Sequence, residues 1–428
     1  MSKLAILGGK PSREKPFPAY SNFGDEETEA VVRVMKSRNL SRYQGGWGPD
    51  FFGGPEVQAF EKEWSEYFGA KHSVAVNSNT SGLQAALGAC GIGPGDEVIV
   101  TPFSICISAT APLFWNATPV FADIDAGHYC LSVEAIRRCI TSKTKAIVVV
   151  HIFGCPADMD EIMMLAKEHG LYVIEDCAQS PGARYKEKMA GTLGHVGVFS
   201  LNYHKHIHTG EGGVCVTNDD RLARRMQLIR NHAEAVVEPS GETDLVNMLG
   251  CNFRLTELQA AIGRVQLSRL SDEVKRRQSY ARAFTEALSA FDFIGSPDLT
   301  NRTHSYYVQP FQYDQKITGV TRDRFIQALK AELPPFEGYE HEGAPVSQAY
   351  VKPLYMLPLF QKRVAYKGGY PFNGKEKYEK GTCPVAEDMH FNRFWSHRLI
   401  VGSLTENDVS DGIAAIKKVC NSIHELRA

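Results

Sequence analysis

Between residues 57 and 217 short β-branched runs alternate with stretches of helical spacing, and that alternation leaves the chain few folds. Ser73–Val76, Glu97–Thr101, Pro119–Asp123, Lys145–Val150, Leu171–Glu175 and Val214–Thr217 read as strands. Thr80–Cys90, a stretch ending near Asn116, a segment opened by Ser132 with Glu134 in its first turn, and Asp158–His169 read as helices. Lys145–Val150 is a near-continuous apolar run, as expected of a strand buried on both faces. Strand–helix–strand units of this kind cross over right-handed, so the expected class is α/β with a mainly parallel sheet.

After residue 217 the character changes. Residues 218–290 are rich in Arg, Leu and Ala at helical spacing, and Leu255–Ser289 holds one long helix with an expected break at Ser271-Asp272. Beyond it come a strand-like Ser305–Gln312, a helix at Arg322–Glu332 and a closing helix at Glu406–Glu425. Residues 333–394 are rich in Pro, Gly and Tyr and read as long loops, which compact domains keep mainly for function. The 428 residues therefore divide into a large unit, 1–270, and a smaller one, 271–428, with residues 1–25 expected to pack on the latter.

Composition removes several classes of function. Lys and Arg number 47 against 49 Asp and Glu, the formal charge is −2, and no basic patch is present to neutralise a nucleic-acid backbone. The most apolar stretch, Val98–Trp115, is broken by Pro102, Ser104, Ser108, Thr110 and Pro112 and fails as a membrane span. Met1–Gly9 lacks the apolar core and cleavage site of a signal peptide. The ten cysteines are scattered, form no C-x-x-C, and mostly lie in apolar runs. A soluble cytoplasmic protein with free thiols is expected.

Three stretches carry chemistry. Asn77-Ser-Asn-Thr-Ser-Gly82 lies between a strand and a helix, where backbone N–H groups and the hydroxyls of Thr80 and Ser81 form either an anion cup or an ordinary helix cap. Val173-Ile-Glu-Asp-Cys-Ala-Gln179 ends an apolar strand in an acidic pair, placed to meet a cationic ring nitrogen or to cap the next helix. In Phe199–Gly213 a lysine, Lys205, follows a strand, and Gly210, Gly212 and Gly213 mark backbone that something approaches closely. His204, His206 and His208 alternate as metal ligands on one strand face would, but no zinc-type spacing accompanies them and no metal is expected.

A hydroxyl cup, a strand-end Asp and a downstream Lys together are what a pyridoxal phosphate site requires. Here the sequence resembles the DegT/DnrJ/EryC1/StrS family, the sugar aminotransferases of the fold-type I pyridoxal phosphate superfamily. The resemblance runs from about residue 53 to 282 and resumes in the closing Leu404-Thr-Glu helix. It rests on Gly91-Ile-Gly-Pro-Gly-Asp-Glu-Val-Ile-Val100, Ala117-Thr-Pro-Val-Phe-Ala-Asp123, Ile174-Glu-Asp-Cys-Ala-Gln179, Phe199–Gly213 and Asn252-Phe-Arg-Leu-Thr-Glu257. It implies an aspartate-aminotransferase-like large domain with a seven-stranded, mainly parallel sheet between helices, and a smaller α+β C-terminal domain whose loops at 333–394 carry acceptor specificity.

The resemblance further implies Lys205 as the Schiff-base lysine and Asp176 as the partner of the pyridine nitrogen. Gln179 matches the residue near the ring's 3-hydroxyl, and Thr80, Ser81 and Ser200 match the phosphate binders. Asn252 matches the residue reaching the neighbouring subunit's phosphate, so a homodimer with shared sites follows, and the apolar region Leu255–Leu267 is the expected interface. Arg254 is a candidate for the donor carboxylate. His151, His204, His304 and Tyr306 are candidate substrate contacts, with a structural role the alternative for His151. Ile105 stands where many members place an aromatic ring against the cofactor. Asn202, Tyr203, His204 and His208 also replace more usual loop residues.

The activity implied is ping-pong amino transfer, with pyridoxal and pyridoxamine phosphate as the two cofactor forms. The donor is L-glutamate or L-glutamine, and the acceptor a keto-sugar, nucleotide-linked in the leading reading, or a keto-cyclitol of the inosose type. The alternatives are a cofactor-dependent sugar dehydratase, associated with histidine in place of the lysine, and a cofactor-binding regulatory protein without turnover.

Overall fold

The computed structural model describes residues 3–20 and 23–427. Seven strands form the main sheet: β1 (His72–Val76), β2 (Glu97–Val100), β3 (Thr118–Phe121), β4 (Thr144–Val150), β5 (Tyr172–Asp176), β6 (Val196–Ser200) and β7 (Gly213–Thr217). Their order is β1-β7-β6-β5-β4-β2-β3. Neighbours pair in parallel from β6 through β3. Only β7 runs antiparallel, to both β1 and β6. The α/β class and mainly parallel seven-stranded sheet are therefore as expected.

The sheet is buried on both faces, and its side chains alternate between two cores. In β7, Val214 and Val216 join Phe60, Trp64 and Phe199 on one face, while Cys215 joins Leu83 and Val198 on the other. Helices α1 (Asp25–Ser37), α2 (Pro55–Phe68), α3 (Asn79–Ala89), α4 (Ile107–Phe114), α5 (Val133–Cys139), α6 (Met159–His169) and α7 (Asp220–Arg230) cover the sheet or its flanks. Local chemistry sets their starts: Ser78 caps α3 through the Ser81 N–H and Ser132 caps α5 through Ala135, while α2 opens on Pro55 and closes on left-handed Gly69.

Helix α8 (Glu257–Leu288) is continuous over 32 residues, so the expected break at Ser271-Asp272 is absent. Neither residue breaks a helix there: both are exposed, Ser271 Oγ meets Tyr67 Oη at 2.9 Å, and Asp272 lies 3.6 Å from Lys275. The expected interface on this helix is also used up within the chain. Leu255 and Leu267 are buried against Val57, Phe60 and Trp64, and Leu258 and Val265 pack with Ala30 and Val34. Just before it Leu249 and Leu245 are the two most exposed large apolar side chains among the described residues, with Val246 exposed beside them.

A second core gathers Phe284, Phe311, Phe325, Trp395, Ile416 and Val419 around strands β8 (Gln309–Tyr313) and β9 (Phe394–His397) and helices α9 (Arg322–Glu332) and α10 (Glu406–Asn421). Leu4 and Phe17 of the N-terminal segment belong to it. The strand expected from Ser305 starts only at Gln309, because Tyr306 takes a left-handed φ of 58°. Residues 333–394 are divided between the cores: Phe336 and Val346 join the second, whereas Leu354, Tyr355, Phe360 and Tyr378 join the first. Tyr378 Oη donates to Pro119 O at 2.7 Å, and Asp123 receives the Val385 and Ala386 N–H groups. No helix among the described residues is long and apolar enough to cross a membrane.

Burial holds three histidines neutral: His304 and His397 are pushed down to about 3 and His206 well below its ordinary value. The unfolded chain takes up these protons below about pH 6.5; folded His304 and His397 take theirs up only near 3 and His206 well below its ordinary value, so stability falls as pH drops below about 6.5. The slope is about 1.4 kcal/mol per pH unit for each histidine. Urea denaturation at pH 7 and pH 5 should show this loss. His397→Asn, which keeps an acceptor for the Leu399 N–H, should flatten it; an unchanged slope contradicts the assignment.

Candidate active site

Asp176 ends β5 at the carboxyl edge of the sheet and is 1% exposed. Its Oδ1 accepts from the Ala178 N–H at 3.1 Å and from Asn79 Nδ2 at 3.3 Å, and its Oδ2 accepts from Ser108 Oγ at 2.9 Å. Asn79, the first residue of α3, also donates to Val198 O at 3.1 Å and so ties the helix start to the strand beside Asp176. Burial pushes the carboxyl up from its ordinary value, and these donors together with the charge of Lys205 oppose it.

Lys205 lies in the turn that follows β6, where its N–H donates to Asn202 O at 2.9 Å. Its ammonium sits 4.4 Å from the centre of the Tyr307 ring. The lysine opens into a small cleft shared with Tyr20, His204, His206, Tyr307 and Arg398. Because residues 201–208 form a turn rather than a strand, the three alternating histidines diverge. His204 lies tilted against the Tyr203 ring, His206 is buried and donates from Nε2 to Ser305 O at 2.9 Å, and His208 packs on Phe23.

The expected phosphate cup is the start of the 11-residue helix α3. Thr80 is exposed there. Ser81 is buried, however, and its hydroxyl turns inward to Asn77 Oδ1, with Ser78 Oγ 2.8 Å away. Ser200 Oγ accepts from the Asn202 N–H at 3.3 Å. The close approach signalled by the glycines is the protein's own: a Cβ on Gly213 would lie 2.6 Å from the Ser78 carbonyl carbon, so glycine lets α3 start against β7.

Other candidates fall differently. Gln179 accepts the Phe153 N–H on Oε1 at 2.7 Å and donates from Nε2 to Tyr350 Oη at 2.8 Å, which fixes its amide. Ile105 is 44% exposed, at the mouth of the loop that leads to Ser108. His151 is no substrate contact: it is fully buried, Nδ1 accepts the Ala157 N–H at 3.1 Å, and Nε2 meets Glu175 Oε2 at 2.8 Å. Glu175 in turn receives the N–H groups of Gly191, Leu193 and Gly194, so the pair, although close to Cys177, is committed to holding that loop.

Arg254 does not face a donor either, because Nε binds Asn252 Oδ1 at 2.8 Å and Nη1 binds Asn231 Oδ1 at 3.2 Å. That grip leaves the Nδ2 of an exposed Asn252 as the outward donor. His304 and Tyr306 are buried and stack on each other at 4.0 Å, which keeps both off the lysine. Their neighbour Tyr307 reaches it instead. Sequence reasoning thus missed Asn79, Ser108, Tyr307 and Tyr350; Asn79 and Tyr307 sit within or beside quoted stretches, while Ser108 and Tyr350 carry no local signal.

These residues fit pyridoxal phosphate: a lysine amine, a buried carboxyl group held by three hydrogen-bond donors, an exposed threonine at a helix start and a fixed amide. The combination on a mainly parallel sheet defines a fold-type I aminotransferase. The model of the DegT/DnrJ/EryC1/StrS aminotransferase family matches residues 25–409, and the chain belongs to that family. It is 34% identical over 403 residues to the spore coat polysaccharide biosynthesis protein SpsC of Bacillus subtilis, covering 92% of this chain and 95% of that one. The L-glutamine:2-deoxy-scyllo-inosose aminotransferase of Streptoalloteichus tenebrarius is 33% identical over 442 residues, 99% of each chain. The X-ray structure of an aminotransferase from Psychrobacter cryohalolentis superposes with a TM-score of 0.80 at 32% identity, over 96% of this chain and 100% of that one. The protein is a transaminase.

Replacing the buried charge tests its role. Asp176→Asn keeps the shape and loses the anion, and should slow amino transfer by about 10²–10³-fold in single-turnover measurements. A rate within threefold or so of wild type would remove Asp176 from the chemistry.

Proposed function

We propose that the protein moves the amino group of L-glutamate or L-glutamine onto a ketone of a polyhydroxylated six-membered ring, with pyridoxal phosphate held by Lys205, Asp176, Gln179, Thr80 and Ser200. The observation that carries the reading is Lys205 beside the donor-fixed carboxylate of Asp176. When bound, the cofactor supplies a carbonyl carbon for the lysine amine and a ring that withdraws electrons. Asp176 holds the ring nitrogen in its charged form, Gln179 fixes the ring oxygen side, and the start of α3 with Thr80 takes the phosphate. Lys205 Nζ, once free, would serve as the base that takes the proton from the donor's α-carbon. Donor carboxylate recognition passes from Arg254 to Arg398, the guanidinium that shares the lysine's cleft and is now paired with Glu342.

A nucleotide-linked keto-sugar is the leading acceptor. A keto-cyclitol is the second reading, favoured by end-to-end similarity to the inosose aminotransferase. Selection between them belongs to residues 333–394, which bring Tyr350 onto Gln179. The division into a cofactor-holding unit, 1–270, and a smaller unit from 271 is part of the same proposal, with α8 running through the boundary. So is a cytoplasmic homodimer, in which Leu245, Val246 and Leu249 meet a second copy and Asn252 reaches the neighbour's phosphate.

Incubation with pyridoxal phosphate and either donor should release one 2-oxo acid per site and convert the cofactor to its amine form. Adding a nucleotide-linked keto-sugar or scyllo-inosose should then restore the aldehyde form with only one of the two. No half-reaction with any amino donor contradicts the proposal. Arg398→Ala should raise KM for glutamate at least tenfold, about 1.4 kcal/mol, with a smaller change in kcat. Leu249→Asp, at a side chain 71% exposed, should shift the protein to monomer in light scattering; an unchanged mass contradicts that interface.

A further inference from the structure

Hydrogen-bond directions around Asp176 can be followed one donor further than the carboxylate itself. Ser108 has a single hydroxyl proton, and it lies on Asp176 Oδ2 at 2.9 Å. Ser104 Oγ is 3.0 Å from Ser108 Oγ, so in that contact Ser104 must be the donor. The chain therefore has one direction, Ser104 to Ser108 to Asp176. Both serines are buried, at 1% and 0% exposure, and no bulk water competes for either bond.

The acceptor side is equally constrained. Oδ1 already takes two donors, Ala178 N–H and Asn79 Nδ2, whereas Oδ2 takes only Ser108 among the described residues. A carboxylate offers about four acceptor directions, two on each oxygen. The remaining one is on Oδ2.

We propose that Ser108, backed by Ser104, is a positioning residue that aims the open side of Asp176 Oδ2 at the cofactor's ring nitrogen and keeps the carboxylate the charged partner. The proposal rests on the cofactor reading above. The other titratable groups facing Asp176 are Lys205 from the turn after β6, Tyr350 from the 333–394 segment and Cys177 beside it, and none of them donates to Oδ2. Without the Ser108 proton the negative charge is less well stabilised, and a proton shared between ring nitrogen and Oδ2 moves toward the oxygen. The ring then withdraws fewer electrons, and the nitrogen joining Lys205 to the cofactor keeps its proton to higher pH.

The test is the pH midpoint of the visible absorption band of the cofactor-loaded protein, a spectroscopic quantity separate from turnover. Ser108→Ala should raise the midpoint by about half a unit or more, Ser104→Ala should move it less in the same direction, and Ser108→Thr should restore it. A Ser108→Ala midpoint equal to wild type, even with a lowered Tm, shows a purely structural hydroxyl and overturns the proposal; so does a midpoint that falls. If Ser108→Ala does not fold, Ser104→Ala decides, and a midpoint identical to wild type overturns the proposal. Absence of any visible band in the wild type overturns the cofactor reading itself.

Discussion

A carboxylate at the end of β5, 1% exposed, is the constraint around which the rest of the site is arranged. A hydrogen bond to a charged group typically contributes about 1.5–3 kcal/mol, so the three donors hold the elements that supply them in place. Asn79 brings the first turn of α3 to it, Ala178 the turn after β5, and Ser108 the first turn of α4. Glycine at 213 then lets α3 start directly against β7. The result sets an exposed Thr80, the open lone pair of Oδ2 and the amine of Lys205 around one end of the sheet.

A second buried acid does similar work one residue earlier. Glu175 collects His151 and three backbone N–H groups from residues 191–194, which closes the loop leading into β6 and so fixes where Lys205 emerges. The acidic pair is thus divided by the strand's alternation: Glu175 faces a structural loop and Asp176 faces the site. His151 belongs to the first role. A histidine after an apolar strand looks the same in sequence whichever role it has, and only its two bonded nitrogens decide.

The strand–helix alternation made the sheet and its helices legible in sequence, because both periods are local properties of the chain. Lys205 and Asp176 stand out in sequence as candidates, since chemistry at a strand's carboxyl end is signalled by adjacent residues, whereas Gln179 came only from the family resemblance. Ser108 was not: in sequence it is one of the polar residues that interrupt an apolar run, and its value comes from a strand 68 positions away. Tyr350 reaches Gln179 from 171 positions away, and no local pattern encodes that contact. The left-handed turn at Tyr306 exchanged the expected tyrosine for Tyr307. Arg254 looked like a carboxylate fork, but two nearby asparagines satisfy it first.

The central claim is that one amine, Lys205 Nζ, carries the cofactor. Reduction of the pyridoxal phosphate-loaded protein with borohydride, followed by digestion and mass spectrometry, tests it directly. The account predicts a single phosphopyridoxyl group, on the peptide containing Lys205, and none in Lys205→Ala. A stable adduct on another lysine, or one that survives in Lys205→Ala, would contradict it.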